Sequence, residues 1–360
     1  MVEMSSFDYG NARLKAMKFR LLSWDKLINL ASVGSLEGLI SALANTAYQK
    51  SIEMALAKTS GIEVVVDALR MDLGNTLGKI RLYYHEQARE MVDISLRSYD
   101  IHNLKSILYG LSKGVQPGEI LAALVPIGEL KISTLAELAR SPGPRAAIDT
   151  LATTHPSIAR PLISLRIKHP GASTFEMGLV LERWYVEETQ RCLRDIPDGR
   201  LVTASLQIDA DIANILTVLR FIHAPDERKL LRQHLGSDDI TKLFINPGSL
   251  PDPILIEAAS QKDIQAAVTA LSRTRYEKAL TSGLSAFIQT GRLSEFERSL
   301  NRFRQKWKAG LILIDPLGIG VVLGYITLKT NEVRNLLWIT HGINLNMTPA
   351  AIQSEVESVQ

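Results

Sequence analysis

One seven-residue pattern occurs three times in this chain, and a chain that builds one helical unit three times is making a shape. The copies are Ser98-Tyr99-Asp100-Ile101-His102-Asn103-Leu104, Asp209-Ala210-Asp211-Ile212-Ala213-Asn214-Ile215 and Thr330-Asn331-Glu332-Val333-Arg334-Asn335-Leu336. Each has an N-cap former first (Ser98, Asp209, Thr330), a carboxylate two residues on (Asp100, Asp211, Glu332) and then an asparagine (Asn103, Asn214, Asn335). The asparagines stand 111 and 121 residues apart, from 103 to 214 and from 214 to 335. Apolar columns coincide as well: Ile101, Ile212 and Val333; Ile107, Val218 and Ile339; Leu111, Ile222 and Ile343. The pattern predicts a helix start in each copy, with the first residue capping orphan N–H groups and the acid at the positive end of the helix dipole. The asparagines are expected to brace their own lobes.

Helix formers dominate, apolar residues recur at three- and four-residue spacing, and alternating strand patterns are scarce, so the chain is expected to be all-α. Glu63-Val64-Val65-Val66 is a short apolar run in a helical context. Amphipathic helices are expected upstream of the motifs. One runs from about Asn11 with Leu14, Met17, Leu21, Trp24 and Ile28 on one side; another carries Phe296, Leu300, Phe303 and Trp307. Basic residues flank both. Prolines cluster between periodic stretches, at 142, 144, 156, 161, 170, 197, 225, 247, 251 and 253, and read as inter-helix loops. Soft boundaries near 118 and 236 divide the chain into lobes 1–118, 119–235 and 236–360.

At 360 residues the chain can bury a large core. A net charge of +3, from 41 basic and 38 acidic residues, is too weak a bias for nucleic acid. The lone Cys192 cannot form an internal disulfide, and the first residues lack the apolar core of a signal peptide, which fits a reducing cytosol. The apolar run Leu311–Leu328 contains Asp315-Pro316, which would be costly in lipid. It reads as a buried hairpin corner, with Pro316 opening a helix.

Near-matches to enzyme motifs fail on context. Gly110-Leu111-Ser112-Lys113-Gly114 fits G-x-S-x-G, but a helix runs into it where a nucleophile elbow needs a strand, so it reads as a helix end stopped by glycine. Gly74-Asn75-Thr76-Leu77-Gly78-Lys79 is one residue short of a phosphate loop and is followed by Ile80, and a helix with small contact residues is expected there. Gly318, Gly320 and Gly324 miss dinucleotide spacing and read instead as positions that let helices approach closely. The seven histidines show no paired metal spacing. The sequence therefore offers no catalytic, cofactor-binding or metal-binding residue. A helical enzyme would need one pocket to gather Asp100, His102 and Arg334, for which no spacing argument exists.

Three blocks carry a resemblance. Tyr9-Gly10-Asn11-Ala12-Arg13-Leu14-Lys15-Ala16-Met17-Lys18 with Arg20-Leu21-Leu22-Ser23 resembles the opening of the central-stalk component of A/V-type ATP synthases that is called C in archaea and bacteria and d in eukaryotes. Tyr99–Lys105 is similar to that family's middle motif. Pro316–Ile326, continuing through Lys329 and Asn331–Leu336, resembles its C-terminal signature. The resemblance implies three similar helical lobes in a pseudo-threefold funnel, and its length suits an archaeal form. It implies a non-catalytic rotor adaptor that couples the central shaft to the membrane proteolipid ring, in proton- or sodium-driven ATP synthesis or ATP-driven pumping. Implied partners are the D component of the central shaft, with F, and the K/c components of the proteolipid ring. Location would be peripheral, at the cytoplasmic face of the cell membrane through the ring. Asp100, Asn103, Asp211, Asn214, Glu332, Asn335, Arg13 and Arg334 are then structural or interface candidates. The alternative is a helical-repeat scaffold for another protein, although solenoid units are normally far shorter.

Overall fold

A computed structural model describes residues 7–196, 199–224 and 239–359. The described residues form eighteen α-helices, two short 3-10 turns and no strand. The prolines at 197 and 225 and the boundary near 236 lie outside the described residues.

Five helices come first: α1 (Asp8–Lys18), α2 (Trp24–Leu30), α3 (Leu36–Ala44), α4 (Gln49–Leu56) and α5 (Ile62–Ile80). The long α6 (Glu86–Ser112) follows. A second run comprises α7 (Pro117–Ala122), α8 (Ile132–Ala139), α9 (Pro144–Thr154), α10 (Pro156–Lys168) and α11 (Thr174–Leu193), and leads into the long α12 (Arg200–His223). A third comprises α13 (Asp252–Ala259), α14 (Ile264–Ala270), α15 (Glu277–Thr290) and α16 (Ser294–Ile314), and leads into the long α17 (Gly320–Asn344) and the short α18 (Pro349–Glu355). Each run thus leads into one of the three longest described helices, of 27, 24 and 25 residues, and that helix carries the repeated motif.

Local chemistry sets these ends. Ser23, Ser35, Asp263 and Thr348 cap N-termini with their side chains, and Ser173 with Glu176 forms a capping box at α11. Pro117, Pro144, Pro156 and Pro349 occupy first turns, where a missing N–H costs nothing. Gly114, with φ +67°, ends α6 and lets the Val115 N–H reach the Gly110 carbonyl, so the G-x-S-x-G match is a helix C-terminus.

The chain forms two compact units. One gathers the described residues of Met1–Leu96, Val125–Gly128 and Gln305–Gln360; the other gathers Arg97–Leu124 and Glu129–Arg304. In the first, α17 packs against α5, α1, α3 and α2, so helices from opposite ends of the chain share one core. In the second, Ile101, Leu104, Ile107 and Leu108 of α6 join Leu135, Leu138, Ile148, Leu151, Ile158 and Leu162 in one apolar cluster, and α12 packs on α13 and α14. In every case the motif helix packs against short helices from a different run than the one it closes.

Several local expectations are corrected. The repeated motif is not a helix start: Ser98, Asp209 and Thr330 lie well inside α6, α12 and α17, because good helix formers extend each helix N-terminally. The helix expected from Asn11 to Ile28 is two helices, broken where the Leu22 N–H turns away to Glu332 and Ser23 caps α2. Pro161 lies inside α10; the carbonyl it leaves without a helix partner belongs to Ser157, which is exposed to water. Gly74 and Gly78 lie in α5 as expected of a helix, but face open space rather than a neighbour. The Leu311–Leu328 run is a helix corner, but its tip is not buried: Leu313, Ile314 and Leu317 are 81%, 66% and 67% exposed. Pro316 sits in the bend, and Asp315 rather than proline stops the backbone by accepting from the Gly318 and Gly320 N–H groups at 3.0 and 2.9 Å. Among the described residues only α12 is long and apolar enough to cross a membrane; its buried Asp211 fits a core helix better.

The corner does depend on close approach. A Cβ on Gly320 would stand 2.6 Å from the Leu311 carbonyl oxygen, a backbone atom that cannot swing aside. Gly320→Ala is therefore expected to lower the unfolding free energy by about 1–3 kcal/mol, read from the denaturant midpoint at unchanged slope.

Candidate functional site

The three motif acids are buried in the middle of long helices, and each turns its carboxylate to irregular backbone just ahead of a short helix. The Asp100 oxygens accept the N–H groups of Glu129 and Leu130 at 2.7 and 3.1 Å, immediately before α8. Asp211 Oδ1 accepts the N–H groups of Ser249 and Leu250 at 2.8 and 2.9 Å, immediately before α13, and Oδ2 accepts the Ser249 hydroxyl. Glu332 Oε2 accepts the N–H of Leu22, immediately before α2. The three leucines are equivalent: five residues after each comes the first buried leucine of the next helix, Leu27, Leu135 and Leu255. Buried backbone N–H groups in irregular segments need acceptors, and an ionised carboxylate is a strong one.

The asparagines add a second tie. Asn214 donates from Nδ2 to the Ile245 carbonyl at 3.0 Å and accepts the Ile245 N–H at Oδ1, 2.8 Å. Asn335 does the same to Glu357, donating to its carbonyl at 2.9 Å and accepting its N–H at 3.1 Å. The amide thereby pairs with one residue's backbone as a neighbouring strand would. Asn103 is fully buried at the matching place on α6.

Two tyrosines complete the arrangement. Tyr276 donates to Asp211 Oδ2 at 2.7 Å, and Tyr48 donates to Glu332 Oε1 at 2.6 Å. Both follow a threonine whose hydroxyl bonds back to a buried leucine carbonyl, Thr274 to Leu271 and Thr46 to Leu43. In the remaining copy Pro156 holds the tyrosine's place. Burial pushes both phenols well above the usual tyrosine range, and the adjacent carboxylates push them further. Gly248 allows the approach beside Asp211: a Cβ there would meet Oδ1 at 2.3 Å.

The Glu332 copy holds a buried ionic cluster, and on α6 Arg97, at the place of Lys329, pairs with Glu129 at 2.8 Å. Lys329 Nζ lies 2.9 Å from Glu332, 2.7 Å from Asp72 on α5 and 2.8 Å from the Tyr48 hydroxyl, and packs over the Tyr48 ring. At the corresponding place on α12 stands the buried, apolar Ile208. Arg334 binds the Glu357 carboxylate at 2.8 Å and the side chains of Gln305 and Asn331 at 2.7 Å. Arg13 is exposed on α1, held by the Tyr9 hydroxyl at 2.6 Å and stacked over Tyr83.

Leu22, Leu130, Leu250, Ile245, Tyr48, Tyr276, Asp72, Lys329 and Glu357 were not singled out by the motif pattern. A signal for some of them was present: Tyr48 stands 26 positions after Leu22, as Tyr276 stands after Leu250. The Asp100 oxygens are taken up by backbone, and Arg334 by Glu357, so neither is presented to a reactant. Among the described residues no group of three or more His, Cys, Asp or Glu is placed to hold a metal ion.

Thrice-repeated, fully engaged polar joints inside a helical protein define a class whose work is architectural. The chain belongs to the ATP synthase (C/AC39) subunit family, whose model matches residues 10–355. It is similar to the C component of the A-type ATP synthase of Methanocaldococcus jannaschii, 24% identical over 359 residues, covering 98% of this chain and 87% of the relative. The same components of Methanococcoides burtonii and Pyrococcus furiosus are 23% and 22% identical, each covering 98% of this chain, with 94% and 90% of the relative. Membership makes the chain a structural, non-catalytic part of an ATP synthase.

Replacing Asn214 by Leu leaves the Ile245 N–H and C=O unpaired at once, whereas replacing Asn335 by Leu leaves the Glu357 N–H unpaired while Asn331 keeps its carbonyl. The first variant is expected to lose about 2–5 kcal/mol of stability and the second about 1–3 kcal/mol, measured by denaturant unfolding. Alkaline pH probes the tyrosines. In the unfolded chain a tyrosine loses its proton at about pH 10, whereas folded Tyr48 and Tyr276 keep theirs well above that. Above pH 10 the folded state therefore binds more protons, and stability falls as pH rises. Tyr276→Phe is expected to flatten that fall; an unchanged slope between about pH 10 and 11 contradicts the assignment.

Proposed function

We propose that this chain is a rotor adaptor of a membrane-associated A-type ATP synthase, seated between the central shaft and the proteolipid ring on the cytoplasmic face of the membrane. On this reading its partners are the D component of the shaft, with F, and the K/c components of the ring, and its passenger ion is a proton or sodium. The three runs divide near 118 and 236 and give three lobes in a pseudo-threefold funnel, each lobe completed by the motif helix of another run. Torque passes through such a part only if it resists twisting, which densely packed helices provide.

The observation that carries the reading is the cyclic order of the acid joints. Asp100 holds the segment before α8 in the second run, Asp211 the segment before α13 in the third, and Glu332 the segment before α2 in the first. An open helical scaffold has no reason to tie its last repeat to its first, so this order favours a closed three-lobed ring over a solenoid. A closed ring offers a socket into which a helical shaft fits by shape and apolar contact spread over a wide area.

Two measurements test it together. The pure protein is expected to show no nucleotide hydrolysis, and pull-down of the intact complex with cross-linking is expected to join this chain to both the shaft and the ring. Hydrolysis by the pure protein, or cross-links that miss the shaft altogether, would contradict it.

A further inference from the structure

The three acid joints share their chemistry, but one is made by the chain's two ends. Asp100 and Asp211 take N–H groups from residues 29 to 39 positions downstream, so the chain itself keeps donor and acceptor close. Glu332 takes the N–H of Leu22, 310 positions upstream. The asparagine tie breaks in the same way. Asn214 pairs with Ile245, which runs on directly to Ser249 and Leu250. Asn335 pairs with Glu357, while Leu22 comes from the opposite end of the chain. The final residues thus fill a place that, beside α12, continuous chain fills.

That tail is held like a bound peptide. Asn335 grips the Glu357 backbone in both directions, and Asn331 donates to the same carbonyl at 3.0 Å. Arg334 pairs with the Glu357 carboxylate, whose side chain is only 10% exposed. Val359 is 7% exposed among Ala309, Ile312, Leu328 and Leu21. Gln353 on α18 donates to the Ser32 hydroxyl at 3.0 Å and to the Ile28 carbonyl at 3.3 Å, so the same segment also holds the end of α2. The tail therefore bridges α2 and α17 without being continuous with either Leu22 or α2.

We infer that residues 346–359 are a latch on the seam between α1–α5 and α17. With the tail bound, Glu332 holds Leu22 and the seam is shut. With the tail released, α2 and its leading segment open locally while the joints at Asp100 and Asp211 stay closed. The groove beneath it is a peptide site selective for an extended segment with a glutamate two residues before a branched apolar one, and its resting occupant is the chain's own tail. Nothing in this rests on the rotor reading.

Amide hydrogen exchange on the full-length chain tests it, comparing the parent with Glu357→Arg/Val359→Asp and with the charge exchange Arg334→Glu/Glu357→Arg. The first variant is expected to lose protection about tenfold or more at Leu22 and along α2, with Ser249, Leu250 and α13 unchanged. The charge exchange is expected to keep most of the parent's protection at Leu22. Unaltered protection of Leu22 and α2 in the first variant overturns the latch. So does equal loss at α2 and α13, which would make the tail a general support.

Discussion

A buried carboxylate that collects the backbone N–H groups of the irregular segment just ahead of a short helix is the constraint on which this architecture rests. Irregular backbone buried between helices leaves donors that nothing local can satisfy. Hydrogen bonds to an ionised acceptor are worth about 1.5–3 kcal/mol each, and leaving a donor orphaned costs a similar amount. Asp100, Asp211 and Glu332 resolve that problem at three equivalent places. Each fixes where the next short helices begin and so which face they turn to the motif helix. The apolar packing of Ile101, Leu104 and Leu108 against α8–α10 follows from that placement.

Much of this was legible in the chain. The shared columns around Asp100, Asp211 and Glu332 marked the residues that matter, and the helical periodicity gave the fold class. The position of the motif within its helix was not legible. Ser98, Asp209 and Thr330 are good N-cap residues, and nothing local distinguishes a cap from a polar residue that the preceding turn carries straight through. The partners were hidden for a different reason. A backbone N–H is the same at every residue, so no side-chain signal marks Leu130 or Leu250 as its donor. Tyr48 and Tyr276 were within reach through their equal spacing from Leu22 and Leu250, but Pro156 breaks the column in the remaining copy. The exposed tip at Leu313, Ile314 and Leu317 escaped because an apolar run reads as buried whichever way a corner turns it.

The copies have diverged where the chain's connectivity makes different demands. At α12 the joint is polar but compact, with Ile208 behind it and the tyrosine on the carboxylate. At α17, where the joint closes across most of the chain's length, Asp gives way to the longer Glu332, and Lys329 with Asp72 adds a buried ionic cluster. Buried charges contribute little net stability against an apolar replacement, but they penalise every misregistered docking in which a partner is missing. Such a cluster suits a seam whose two sides must find one another without help from the connecting chain. The same logic places Arg334 on Glu357 at the segment that completes the seam.

If the three joints are equivalent and cyclic, the point at which the chain begins is arbitrary. A circular permutant, with a flexible linker joining residues 1 and 360 and new ends at the exposed turn near Gly114, keeps every acid joint intact. Its far-UV circular dichroism and denaturant unfolding test the claim directly. The account predicts parent-like helicity and a single cooperative transition, whereas a permutant that lacks helical structure or melts without cooperativity would contradict it.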